Sequence, residues 1–327
     1  MRRSTERILT THTGSLPRPA DLLELVYAQA NGQPVDEAAF AARVKSAVAE
    51  IVQKQVDAGI DVVNDGEMSK HSFATYVNER LDGLGGENPE PRPFTEHATF
   101  PGWASTLPPA IMKRKFAQGP ISYRNTGALQ ADLDNLTESV KQSGAAEGFM
   151  TAASLGIIAD IMQNRHYPTE EAYLYALADA MKVEYKAIAE AGFVIQIDAP
   201  DAAMGRHGQF RNDTLAEFKR ATQQRVEALN HALDGIPEEQ IRYHICWGNY
   251  EGPHTYDLPL LKIIDLAFTA RPRDGRHRPV RKRLQAHGQG QRRSHPRGGG
   301  HSDAGDPPAQ RHRTRRRAFG GRRGASP

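Results

Sequence analysis

Apolar residues recur every three or four positions along three long stretches of the chain, residues 36–58, 169–191 and 214–234. That spacing predicts three helices, each with one face turned to a core. Asp36 stands where a helix N-cap is wanted, and the second stretch opens T-E-E, a cap followed by acids that suit the positive end of a helix dipole. The three stretches stop at Gly59, Gly192 and Gly235. A short β-branched run follows each: residues 60–64 (IDVVN), 193–198 (FVIQID) and 241–246 (IRYHIC). Helix, glycine, buried strand and polar loop in repetition predict a parallel α/β protein. Some 270 residues of this pattern suit a (β/α)8 TIM barrel or an open doubly wound sheet. No glycine-rich phosphate loop follows an early strand, which favours the barrel. Residues 83–120, rich in Pro and Gly, predict a long excursion of the lid or insertion kind.

Charge divides the chain at residue 270. Residues 271–327 carry 17 basic side chains (16 Arg and one Lys) against three Asp, a net of +14. Residues 1–270 hold 25 basic and 36 acidic groups, a net of −11, so the basic pI of 8.9 belongs to the tail. The tail contains no Glu, Ile, Tyr, Asn, Met, Cys or Trp, and too little apolar surface to offset chain ordering. The expected organisation is therefore a barrel domain over residues 1–270 and a disordered Arg/Gly/Pro-rich segment over 271–327. An Arg-rich arm could hold nucleic acid non-specifically, but this one lacks interleaved aromatics and begins abruptly after a helix-like run. The expectation preferred here is a reading-frame shift near residues 267–273, which resequencing the coding DNA across codons 260–327 decides.

One cysteine excludes an internal disulfide, no apolar run of 18 residues exists, and the N-terminus shows no apolar signal core. These features lead to the expectation of a cytoplasmic protein without a membrane partner.

Polar groups gather where strands end. On a strand, His244 and Cys246 share one face while Tyr243, Ile245 and Trp247 share the other. An imidazole beside a thiol suits zinc; a buried Cys packed as a small hydrophobe beside a hydrogen-bonded His is the plainer alternative for two such residues alone. Glu67 follows the run 60–64, Asp198 closes the run 193–198, and His12, Thr13, Gly14 and Ser15 follow a short run at 8–10. In a barrel these four clusters converge on the face where active sites sit.

TTHTGSLPRP, NDGE, GFVIQIDAPD and YHICWGN, in this order and spacing, resemble the cobalamin-independent methionine synthase family, above all its short single-domain members. The resemblance spans about residues 5–270. It implies a (β/α)8 barrel and a zinc-dependent methyltransferase that moves a methyl group from a methyl-folate to homocysteine thiolate. Carried over by position, it implies His244 and Cys246 as zinc ligands, with His12, Gly14, Ser15, Glu67 and Asp198 in the substrate site. Glu67 and Asp198 take the catalytic part of holding the substrate amine. His12 and Thr13 stand where the synthases carry Thr and Ile, and residues 149–156 (FMTAASLG) stand where they carry a Gly-Pro-containing strand. The family also uses a further carboxylate and a second cysteine as ligands, which this sequence does not contain in matching context. The expectation is an impaired enzyme whose barrel is incomplete at its C-terminal end. The alternatives are a zinc thiol alkyltransferase of the epoxide:coenzyme M type, or an inactive remnant with a nucleic-acid-binding tail.

Overall fold

The computed structural model describes residues 1–2, 4–87, 94–106, 114–124, 126–248 and 252–270. Its first sheet is parallel. Strand β1 (Val62–Val63) pairs with β4 (Glu147–Ala153), β4 with β6 (Val194–Asp198), and β6 with β7 (Ile241–His244). Thr11 adds the N-terminal segment through a parallel bridge to Val62. Parallel strands in chain order with helices between them form the wall of a β/α barrel. The expected barrel incompleteness and the expected disordered tail concern residues 271–327, which lie outside the described residues.

The predicted helices form at Glu37–Asp57, Glu170–Glu190 and Leu215–Ala232. Asp36 Oδ1 accepts from the Ala38 and Ala39 amides at 3.0 Å, Thr169 Oγ1 accepts from Ala172 N, and Thr214 and Glu217 form a reciprocal capping box. These helices cover the outer face of the sheet. Met150, Ala152, Ile195 and Ile197 point outward into the main core and are almost fully enclosed. Full burial of one such isoleucine contributes about 1.5–3 kcal/mol.

Register decides what points inward. Phe149 pairs with Val194, Thr151 with Gln196 and Ala153 with Asp198; across the next seam Gln196 pairs with Arg242 and Asp198 with His244. Paired residues of parallel strands share a face. The interior therefore runs from an apolar layer, where Val62, Phe149 and Val194 cluster apart from the main core, to polar layers at the strands' C-terminal ends.

The described ends of the 83–120 excursion form strands, which the Pro and Gly content does not predict. They belong to a second sheet, in which β2 (Leu81–Gly85) pairs antiparallel with β3 (Phe116–Tyr123) and β3 pairs with β5 (Gln163–Asn164). Gly83 and Pro120 mask this sheet in the sequence; Gly83 lies at a register shift, and a Cβ there would come within 2.4 Å of the Pro120 carbonyl. A buried charge network ties the sheet to the barrel helices. Fully enclosed Glu184 accepts from Tyr123 Oη at 2.6 Å, from Arg80 Nη1 at 3.3 Å and from Tyr76 Oη, while Arg80 also grips Asp132. Burial alone would raise the Glu184 carboxyl, but Arg80 and Lys70 carry it below its ordinary value.

Candidate active site

The turn after β1 is built by its own side chains. Asn64 Oδ1 accepts from Gly66 N at 2.9 Å and Asp65 Oδ1 from Glu67 N at 3.0 Å, locking two consecutive Asx-type contacts. They hold Glu67 at φ +58°, the only non-glycine positive φ among the described residues. Such a conformation persists only where surroundings enforce it, and it turns the Glu67 side chain inward to 2% exposure. There Glu67 Oε1 accepts from Thr151 Oγ1 at 2.9 Å. Arg18 holds the same turn from behind through the Glu67 and Lys70 carbonyls.

Gly14 lies against this carboxylate. Its φ is +139°, and a Cβ would meet Thr151 Cγ2 at 2.8 Å and Glu67 Oε1 at 3.3 Å. Only glycine lets the N-terminal loop pass this closely. Ser15, next along, is exposed. His12 turns away from this group: its Nδ1 accepts from Gly14 N at 3.3 Å and its Nε2 lies 2.7 Å from Gln55 Oε1. Gln55 in turn spans the Asn64 backbone with both ends of its amide. His12 thus braces the loop, and burial lowers its pKa.

Lys70 is buried beneath the carboxylate, donating to the Thr151 carbonyl at 3.0 Å and lying 4.5 Å from the centre of the Tyr76 ring. Burial pushes the Glu67 carboxyl upward, and Lys70 opposes that rise.

Two strands away, Asp198 Oδ1 accepts from Gln196 Nε2 at 2.7 Å and lies 2.9 Å from His244 Nδ1. A carboxylate can only accept, so His244 Nδ1 carries the proton and its Nε2 lone pair has no partner among the described residues. Gln196 Nε2 also reaches the Thr13 carbonyl at 2.6 Å, tying the N-terminal loop to β6. His244 keeps 26% side-chain exposure and Cys246 is half-buried, its Sγ accepting from Gly248 N at 3.1 Å. The strand ends at His244, so Cys246 lies just past it, yet the alternation persists: Tyr243, Ile245 and Trp247 pack outward against core clusters.

His244 and Cys246 offer the donor types of a zinc site, with an unprotonated ring nitrogen and a sulfur that receives an amide N–H. They make two donors. No group of three or more His, Cys, Asp or Glu residues able to hold a metal exists among the described residues, so a full shell is not formed there. Thr151, Gln196 and Lys70 escaped the sequence analysis. Thr151 and Gln196 were detectable as polar residues on the inward face of otherwise apolar strands; Lys70, in a polar turn, gave no such signal.

Comparisons with known proteins give the family and the fold of the chain. The family described as "Cobalamin-independent synthase, Catalytic domain" matches residues 8–255. A methionine synthase of Sulfolobus acidocaldarius is 26% identical over 264 residues, covering 79% of this chain and 67% of that protein. One from Saccharolobus solfataricus is 27% identical over 242 residues, covering 74% and 63%. The chain thus spans about two thirds of the length of these relatives. Among solved structures, a B12-independent methionine synthase from Shewanella sp. W3-18-1, in complex with selenomethionine, superposes with a TM-score of 0.54 at 21% identity, covering 75% of this chain and 63% of that one. A putative vitamin-B12 independent methionine synthase from Listeria monocytogenes gives 0.53 at 18% identity, covering 76% and 69%. At these identities the structures establish the fold, a (β/α)8 barrel, in accord with the sequence expectation. Among the described residues no helix is long and apolar enough to cross a membrane.

Proposed function

The chain belongs to the cobalamin-independent synthase catalytic-domain family, and from that premise we propose that it is an S-methyltransferase acting on an amino-acid thiol of the homocysteine type. The observation that carries the reading is the convergence of Glu67 and Asp198 on one end of the barrel interior, each buried and each held by a neighbouring side chain. Two carboxylates there suit a substrate ammonium, which charge-assisted hydrogen bonds hold more strongly than neutral ones. The close approach of Gly14 to Glu67 leaves backbone rather than side chain beside the bound amino acid.

His244 through Nε2 and Cys246 through Sγ would supply two ligands of a zinc ion, whose chemistry when bound is to stabilise a thiolate at neutral pH. Asp198 has two tasks in this reading: it fixes the His244 tautomer and it faces the substrate amine. Lys70 offsets charge beneath Glu67 so that the carboxylate can stay ionised in an enclosed place. The proposed methyl donor is a methyl-folate, as the methionine synthase relatives suggest.

The test is direct. The full chain is titrated calorimetrically with L-homocysteine and assayed for methionine formation from 5-methyltetrahydrofolate, with metal content measured on the same sample. Binding of homocysteine that Glu67→Gln and Asp198→Asn each weaken by roughly tenfold or more supports the reading. Absence of binding in the wild-type chain overturns it. Zinc retained by the wild-type chain and lost from His244→Ala and Cys246→Ala supports those two as ligands.

A further inference from the structure

Arg242 is a half-buried cation that the proposed reaction does not use. It lies on the inward face of β7, two residues before His244 and paired in register with Gln196. Its guanidinium stacks 3.9 Å from the centre of the Phe149 ring, which closes one of its faces. Nη1 donates to Thr11 Oγ1 at 3.2 Å, which fixes the rotation of the planar group. The remaining in-plane edge is Nε with Nη2. Both atoms are shielded from solvent, and neither has a hydrogen-bond partner among the described residues.

The neighbouring carboxylates are engaged elsewhere. Asp198 Oδ1 serves Gln196 and His244, and Glu147 receives the Arg2 amide and the chain's terminal ammonium. Burial lowers the Arg242 pKa while Asp198 and Glu147 pull against it, so the cation is partly desolvated without a dedicated counter-charge. An Nε/Nη2 edge is the fork that accepts two oxygens of one planar or tetrahedral anion. An orphaned pair of buried donors costs stability that such an anion recovers.

We infer that the Nε/Nη2 edge of Arg242, held by Thr11 and Phe149 inside the barrel, is a binding site for a small oxyanion, a carboxylate or phosphate group taken side-on. The oxyanion is either free in solution or part of the substrate.

The experiment follows thermal unfolding of the full chain in sodium phosphate and in sodium acetate, against sodium chloride at matched ionic strength. The wild-type midpoint rises with phosphate or acetate as a ligand-linked shift. Arg242→Met, which fills the same space without charge, removes that rise and leaves the midpoint in chloride at or above the wild-type value. Arg242→Lys keeps the charge, loses the two-pronged edge and weakens the anion response by about tenfold. It also serves if the methionine variant fails to fold. A parallel titration compares L-methionine with its decarboxylated amine. If Arg242→Met abolishes only the amino acid's advantage over the amine, the oxyanion is the substrate's own carboxylate; if it abolishes only the phosphate or acetate response, the site takes a free anion. A wild-type chain indifferent to every one of these oxyanions overturns the inference, as does an Arg242→Met chain that responds to them like wild type. The phosphate and acetate arms need no methyl transfer, so their failure leaves the proposed reaction standing.

Discussion

Strands β6 and β7 lie side by side in one register, follow helices of similar length, and both end in a polar residue turned into the barrel. They differ in enclosure. All five residues of β6 are buried between β4 and β7, whereas all four residues of β7 are half-buried, with β6 their only strand partner among the described residues. The candidate site inherits this difference. Glu67, Thr151, Gln196 and Asp198 are enclosed and hydrogen-bonded to one another or to the N-terminal loop. His244 and Cys246 keep partial exposure. The half of the site suited to an ammonium is set rigidly by the wall; the half suited to a metal rests on the less supported strand.

The sharpest way to break that comparison uses one amino-acid type on each strand. Ile197, fully enclosed, and Ile241, half-buried, both face the same core. Ile197→Ala is expected to cost about 2–5 kcal/mol, and Ile241→Ala about half of that or less, by denaturant unfolding. Equal losses would show that β7 is as firmly held as β6.

Next in size is the carboxylate at the centre of the rigid half. Burial raises the folded-state pKa of Glu67 above its ordinary 4.5, so the native state holds its proton more tightly than the unfolded chain. With more protons on the native state, stability from this group is greatest in acid and declines as pH rises from about 4.5 through the raised value. Glu67→Gln removes the decline, and near pH 7 it is expected to stabilise the fold by roughly 1 kcal/mol per unit of raised pKa while weakening substrate binding. Unfolding midpoints across a pH series measure it, and a variant less stable than wild type at neutral pH counts against a strained carboxylate.

His12 tests the bracing loop with the opposite sign and a smaller effect. Its folded pKa is lowered below 6.5 by burial, so the native state binds fewer protons, and its contribution is present above 6.5 and lost as pH falls below it. His12→Gln should flatten that acid-side loss, with a change of less than about 1 kcal/mol. An unchanged acid-side profile would assign the loss to other groups.

Much of this architecture could be read from the chain. Three helices, the N-caps of two of them, three of the parallel strands and the shared face of His244 and Cys246 followed from capping residues and from periods of 3.6 and 2. The β2–β3–β5 sheet did not, because Gly83 and Pro120 make its strands look like loop. His12 shows the limit within a motif: the sequence placed it beside Gly14 in the substrate loop, yet its ring is spent on Gln55, a partner 43 residues away.

What the sequence determined by itself is local and periodic: where backbone hydrogen bonds close into helices, where alternation makes a strand, and which side chains share a face. These depend on neighbours within a few positions. Only the tertiary structure decided that Thr151 would support Glu67, that Asp198 would fix the His244 tautomer, and that two donors of Arg242 would be left without a partner among the described residues. Those outcomes depend on register between strands some forty to eighty residues apart, where a slip of one residue would turn every one of these groups to the opposite face.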